Sequence, residues 1–231
     1  MRVPIVVAVA LTLTLSTAAH ASRRGKVVAT ATDAKQPQKK KFDRSVGAPW
    51  SGSLQAPVRF GDISNVFIRR PLRTYGTRST VDLVKSAIRD TYSVFPKKHK
   101  LAIGDFSQQS GGWISEHASH QSGRDVDIGL FYKRAPKGYP EAFVDATTTT
   151  LDAAATWKLI SLLAATNDDD GGVQYIFFDI GLQSYLYDWA GKNKISEKRI
   201  AEVRRVLRHE PNHANHLHVR FKCRDRDTRC R

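Results

Sequence analysis

Two histidine-rich stretches lie far apart in this chain, and its fold has to account for both. The first reads H-A-S-H-Q-S-G-R-D-V-D from His117 to Asp127, the second H-A-N-H-L-H from His213 to His218. Five of the eight histidines fall in these two stretches. Imidazole and carboxylate together are the donor set of a catalytic zinc, whereas structural zinc sites rely mainly on cysteine. A site split in this way must be assembled by folding.

Residues two apart in a strand share a face. Residues 125–130 and 217–221 alternate apolar and polar and read as strands. Asp125 and Asp127 then point one way with Val126 and Ile128 behind them, and His216 and His218 do the same with Leu217 and Val219 behind. Side by side, the two strands gather a His/Asp/His set with one position open to water, and His120 enters from the loop before. Spacing leaves open which aspartate and which histidine of the H-x-H pair hold the metal. The spare imidazole is placed to act as general base or to stabilise an oxyanion, next to a zinc-activated water. The competing reading, histidines bonding one another in a polar core, suits a lone histidine better than five with two aspartates.

Residues 1–21 read as an export signal: Arg2 is followed by an apolar run over 3–15 and by the small-x-small pattern Ala19-His20-Ala21. That run is too short to span a bilayer, which takes about 20 apolar residues. The mature chain is therefore expected in the periplasm or cell envelope, with no transmembrane segment. Its formal net charge of +15 favours an anionic partner. Export turns that inference from nucleic acid towards envelope polyanions. Cys223 and Cys230 are the only cysteines and, in an exported chain, are expected to form a disulfide. Closing so short a loop contributes about 2.5 kcal/mol on the chain-entropy model.

Residues 22–48 are basic and poor in large apolar groups, which predicts a disordered linker. The catalytic domain is then expected over 49–231. Within it, Val81, Val84, Ile88 and Tyr92 recur at helical spacing, with Thr80 as the expected N-cap. Residues 152–166, 183–192 and 196–209 also read as helices, and 101–103 and 173–178 as strands. Helices and strands do not alternate regularly, so an α+β fold is expected, with a small central antiparallel sheet carrying the zinc site and helices flanking it. Arg124 lies between the candidate ligands and is a candidate clamp for a substrate carboxylate, with a local salt bridge as the alternative.

These residues also match a family. Gly104-Asp105-Phe106-Ser107, Gly111-Gly112, the stretch 117–128, Trp157 with Ile160, 175–177 and H-A-N-H-L-H-V-R-F-x-C resemble the penicillin-insensitive murein endopeptidases. The resemblance runs from about Pro49 to Cys230. It implies zinc held by His120, Asp127 and His218, with His216 as the catalytic group beside the metal. His213 falls on the catalytic side, and His117 is either a further metal ligand or a partner that orients one. The implied reaction is hydrolysis of peptide cross-links in peptidoglycan, at D-alanyl to diamino-acid amide bonds. The alternatives are a D-Ala-D-Ala carboxypeptidase with the same metal centre and a non-catalytic wall-binding module. The basic segment before the domain has no counterpart in this resemblance.

Overall fold

The computed structural model describes residues 42–231; the export signal and residues 22–41 of the expected linker lie outside the described residues. The chain forms β1 (Arg44–Ala48), β2 (Ser51–Gln55), β3 (Val58–Arg59), β4 (Val66–Ile68), β5 (Tyr75–Gly76), α1 (Arg78–Val94), β6 (Leu101–Ile103) and β7 (Asp125–Gly129). It continues through α2 (Ala153–Ala164), β8 (Val173–Phe178), α3 (Ile180–Lys192), α4 (Glu197–Val206), β9 (Leu207–His209) and β10 (His216–Phe221). The fold is α+β, as expected.

Six strands make the main sheet, in the order β4-β6-β7-β10-β8-β9. Its middle is antiparallel, and the edge pairs β4–β6 and β8–β9 are parallel. β10 lies between β7 and β8 and alternates strictly: Leu217, Val219 and Phe221 are fully buried, while His216, His218 and Arg220 face the other side. Burying each such apolar side chain contributes roughly 1.5–3 kcal/mol, which locks the register. A slip by one residue would turn the histidines into the core. α2 packs on β8 and contacts α1, α3 and α4, so the helices cover the apolar face and leave the other to the polar side chains.

Three expectations are corrected. The N-cap of α1 is Thr77, whose Oγ1 accepts from the Thr80 N–H at 3.3 Å; Thr80 itself is already helical. The helix expected to run to His209 ends at Val206, and Leu207–His209 pairs parallel with β8 as an edge strand. His209 is therefore a strand residue and does not close a helix. Finally, residues 42–48 belong to the fold and not to a linker. β1 pairs with β2, and Asp43 and Ser45 are buried.

The force holding β1 is polar. Arg224 lies in the loop closed by the Cys223–Cys230 disulfide. Its guanidinium is 5% exposed and bonds Asp43 and Asp227, while Arg226 reaches the second Asp43 oxygen at 3.1 Å. Burial pushes the Asp43 carboxyl up, but the Arg78 N–H and the Arg224 charge outweigh it and hold it below the usual range. Arg224→Met leaves buried Asp227 without its ion-pair partner and Asp43 with only the more exposed Arg226, and is expected to cost about 3 kcal/mol. Thermal melts at pH 7 should show this as a drop of roughly 6–12 °C. Because the folded pKa of Asp43 is lowered, its contribution is full above the unfolded value and fades as pH falls through the folded one. The deficit of the variant should therefore shrink in melts taken below about pH 4.

Candidate metal centre

The register sets the site. Asp127 on β7 lies directly opposite His218 on β10, and Asp125 opposite Arg220. His216 faces Gly129, where the neighbouring strand has no side chain. His120 sits in the loop before β7 with φ +65°, a left-handed conformation uncommon for a side-chain-bearing residue. Two bonds hold it there: its N–H donates to Asp125 Oδ2 at 2.9 Å, and its Nδ1 meets the Phe106 carbonyl at 3.0 Å. Backbone strain of this kind clusters at functional sites.

Three imidazoles converge on one oxygen. Asp127 Oδ1 is 3.2 Å from His120 Nε2, 3.6 Å from His216 Nε2 and 3.9 Å from His218 Nδ1. The Phe106 carbonyl can only accept, so the His120 proton belongs on Nδ1, and its Nε2 lone pair then faces a carboxylate oxygen. Both Asp127 Oδ1 and His120 Nε2 are buried with no hydrogen-bond partner. Two acceptors facing each other away from water need a cation between them. Without a metal a proton fills that role: burial pulls His120 down, but Asp127 and Asp125 outweigh it and push it up to about 9. Donor atoms about 2.0–2.2 Å from a tetrahedral zinc lie about 3.2–3.6 Å apart, close to the spacing found here. The residues present therefore fit a metal ion.

Two compact donor groups exist among the described residues, each with its atoms within 4.8 Å of one another: His117–His120–Asp127 and His120–Asp125–His218. The three expected ligands are divided between them, with His120 in both. The bonding of the two aspartates separates their roles. Asp125 is saturated: it accepts from the His120 N–H and from Arg220 Nε at 2.8 Å and Nη2 at 3.3 Å, and His218 Nε2 lies 3.4 Å from its Oδ1. Burial pushes Asp125 up, but His218, His120 and Arg220 hold it well below the usual range. It faces the Nε2 side of His218, which leaves Nδ1 for the position beside Asp127. An outer carboxylate commonly orients a ligating histidine in this way.

His216 Nδ1 is 2.6 Å from Asn215 Oδ1. With its proton there, the Nε2 lone pair faces the centre. Burial lowers its pKa to about 4 despite Asp127, so the ring is neutral. Phe143 stacks on it at 4.9 Å with 9° between planes. Gly104 makes room for that ring, since a Cβ there would lie 2.8 Å from Phe143 Cζ. His213 stands beside His216, ring centroids 4.7 Å apart, with Nδ1 on the Pro211 carbonyl. His117 is held by Asp105 through Nε2 at 2.9 Å and turns Nδ1 towards Asp127 Oδ2 at 3.8 Å.

Arg124 does not fit the role of substrate clamp. It is 3% exposed, and its guanidinium bonds Ser45 Oγ, the Phe221 carbonyl and the Arg231 carbonyl. It ties β1 and the C-terminal segment to the sheet.

A cavity of about 490 Å³ opens on one side of the centre, lined among others by Trp50, Phe177, Glu210, His213 and Arg220. A second, of about 270 Å³, is lined among others by Arg69, Arg70, Asp105, Phe143 and Asn212. They share Glu116, His117 and His216, so the cleft leaves the donor set in two directions. Arg69, Phe143, Trp50 and Arg220 were not singled out by the sequence reading. For Arg220 a signal existed, because it continues the His216, His218 alternation. The others reach the cleft through tertiary packing.

The family model for penicillin-insensitive murein endopeptidases matches residues 51–231, and the chain belongs to that family. A curated relative from Pectobacterium atrosepticum, named penicillin-insensitive murein endopeptidase, is 30% identical over 131 residues. The match covers 53% of this chain and 44% of the relative, so the chain spans less than half of that protein's length.

Proposed function

We propose that this protein is a zinc-dependent endopeptidase that hydrolyses peptide cross-links in peptidoglycan, at D-alanyl to diamino-acid amide bonds. The observation that carries the reading is the convergence of three imidazole nitrogens on one unpartnered oxygen of Asp127, in a chain of the murein endopeptidase family. His120, through Nε2, Asp127 and His218, through Nδ1, would hold the metal. Bound there, zinc supplies Lewis acidity and brings the pKa of a coordinated water towards about 7.

The other steps fall to the chain's own groups. His216 presents a free Nε2 to the centre, fixed by Asn215 and by the Phe143 stack. It takes up a proton there, and once protonated it can donate to an oxyanion or to the leaving amine. Asp125, itself held by Arg220, stands 3.4 Å from His218 Nε2, and Asp105 holds His117 through Nε2. The two arms of the cleft suit a substrate that continues on both sides of the cut bond, which favours an endopeptidase over a carboxypeptidase. An envelope substrate agrees with the expected export. No helix among the described residues is long and apolar enough to cross a membrane.

Mass spectrometry of muropeptides after incubation with the protein tests this reading. Cross-linked dimers should give monomers ending in D-alanine, and chelator should abolish the conversion. Release of free D-alanine from uncross-linked pentapeptides, with dimers untouched, would instead identify a carboxypeptidase. Binding to murein without any cleavage would leave a wall-binding module.

A further inference from the structure

Three arginines line the two arms of the cleft, and two of them are already paired. Arg220 is bonded to Asp125. Arg70 contacts Asp105 and Glu116. Arg69 has no carboxylate partner among the described residues. Its one side-chain hydrogen bond is from Nε to the Glu141 carbonyl at 3.1 Å, which leaves both terminal nitrogens of the fork uncommitted. Its guanidinium carbon lies 4.1 Å from the centroid of the Phe143 ring. That ring is the one on which His216 stacks. Arg69 is thus a half-buried, positioned cation, one aromatic ring removed from the group beside the metal centre, in the smaller arm of the cleft.

A planar guanidinium with free nitrogens, held against an aromatic ring, is preorganised for bidentate recognition of a carboxylate. A cross-link made to a diamino acid can place a carboxylate close to the cut, on the carbon bonded to the scissile nitrogen. We propose that Arg69 is the specificity-determining residue of this cleft and pairs with the substrate carboxylate borne next to the scissile nitrogen. The inference rests on the endopeptidase reading and narrows it: the preferred cross-link carries a free carboxylate at that carbon, and amidation or absence of the group makes a poor substrate. The order of the contacts, Arg69 on Phe143 and Phe143 on His216, also means that a bound carboxylate would anchor the leaving-group half of the substrate beside the proton-carrying imidazole.

The test compares three cross-linked muropeptide dimers that differ only at this carbon. One bears a free carboxylate, one the corresponding amide, and one a hydrogen, as when lysine replaces the dicarboxylic diamino acid. The zinc-loaded wild-type protein should cleave the first with a kcat/KM about 10- to 100-fold above the other two, the size expected of a charge-assisted pair. In Arg69→Gln the ratio should collapse to within about threefold, mainly through loss on the free-carboxylate substrate. Arg69→Lys should hold an intermediate ratio, because it keeps the charge and loses the fork. Thermal melts confirm that the variants are folded, and the ratio itself does not respond to a general loss of active protein. A wild-type preference that survives unchanged in Arg69→Gln overturns the inference, as does a wild type that cleaves all three alike. If the wild type cleaves none of them, the endopeptidase reading fails first and this inference falls with it.

Discussion

His218→Ala, purified without added metal, is expected to hold well under a tenth of a zinc equivalent where the wild type holds about one. His218 lies directly across from Asp127, with Nδ1 3.9 Å from its Oδ1, and Asp125 stands on the other side of its ring. Substituting groups that merely orient a ligand commonly weakens metal affinity about 10- to 100-fold, so deleting the ligand itself should cost more than about 100-fold. Cross-link hydrolysis should fall with the metal, by roughly a thousandfold or more, because the Lewis acid goes with it. The fold should survive, since Leu217, Val219 and Phe221 still anchor the strand. Elemental analysis and a melting curve on the same sample check both halves. A full zinc equivalent in the folded variant would remove His218 from the ligand set.

His216→Ala separates the two histidines of the H-x-H pair. It should keep its zinc and lose about 10²- to 10⁴-fold in turnover, the usual contribution of a positioned acid–base group. The separation follows from position. His216 faces Gly129 across the strands, stacks on Phe143 and directs Nδ1 to Asn215. Single-turnover rates with saturating substrate isolate the chemical step from binding. Loss of metal together with activity would make His216 a ligand and undo this division of labour.

Much of this centre was legible because strand alternation is a strong signal. The apolar residues between Asp125, Asp127, His216 and His218 fixed which side chains share a face, and placing the two strands side by side already brought an aspartate and two imidazoles to one patch. The choice between Asp125 and Asp127 was not legible from spacing. It depends on Arg220 and the His120 N–H, which saturate one carboxylate and leave the other open. β1 escaped notice because buried charge holds it. Asp43, Arg224 and Arg124 supply the pairing that an apolar stripe would otherwise advertise. The helix ending at Val206 was overextended because Leu207 also satisfies a helical period, and only the parallel partner β8 turns it into a strand. Arg124 lies between candidate ligands in sequence, but its side chain bonds Ser45 and the Phe221 and Arg231 carbonyls instead.

The central claim is that one metal ion binds where His120, Asp127 and His218 meet. Crystals of the zinc-loaded protein, with diffraction recorded on both sides of the zinc absorption edge, locate the ion directly. The account predicts one strong anomalous peak about 2.0–2.2 Å from His120 Nε2, Asp127 Oδ1 and His218 Nδ1. A peak held by Asp125 in place of Asp127, or by His117, His120 and Asp127 with His218 uninvolved, would contradict it, as would no peak at this centre.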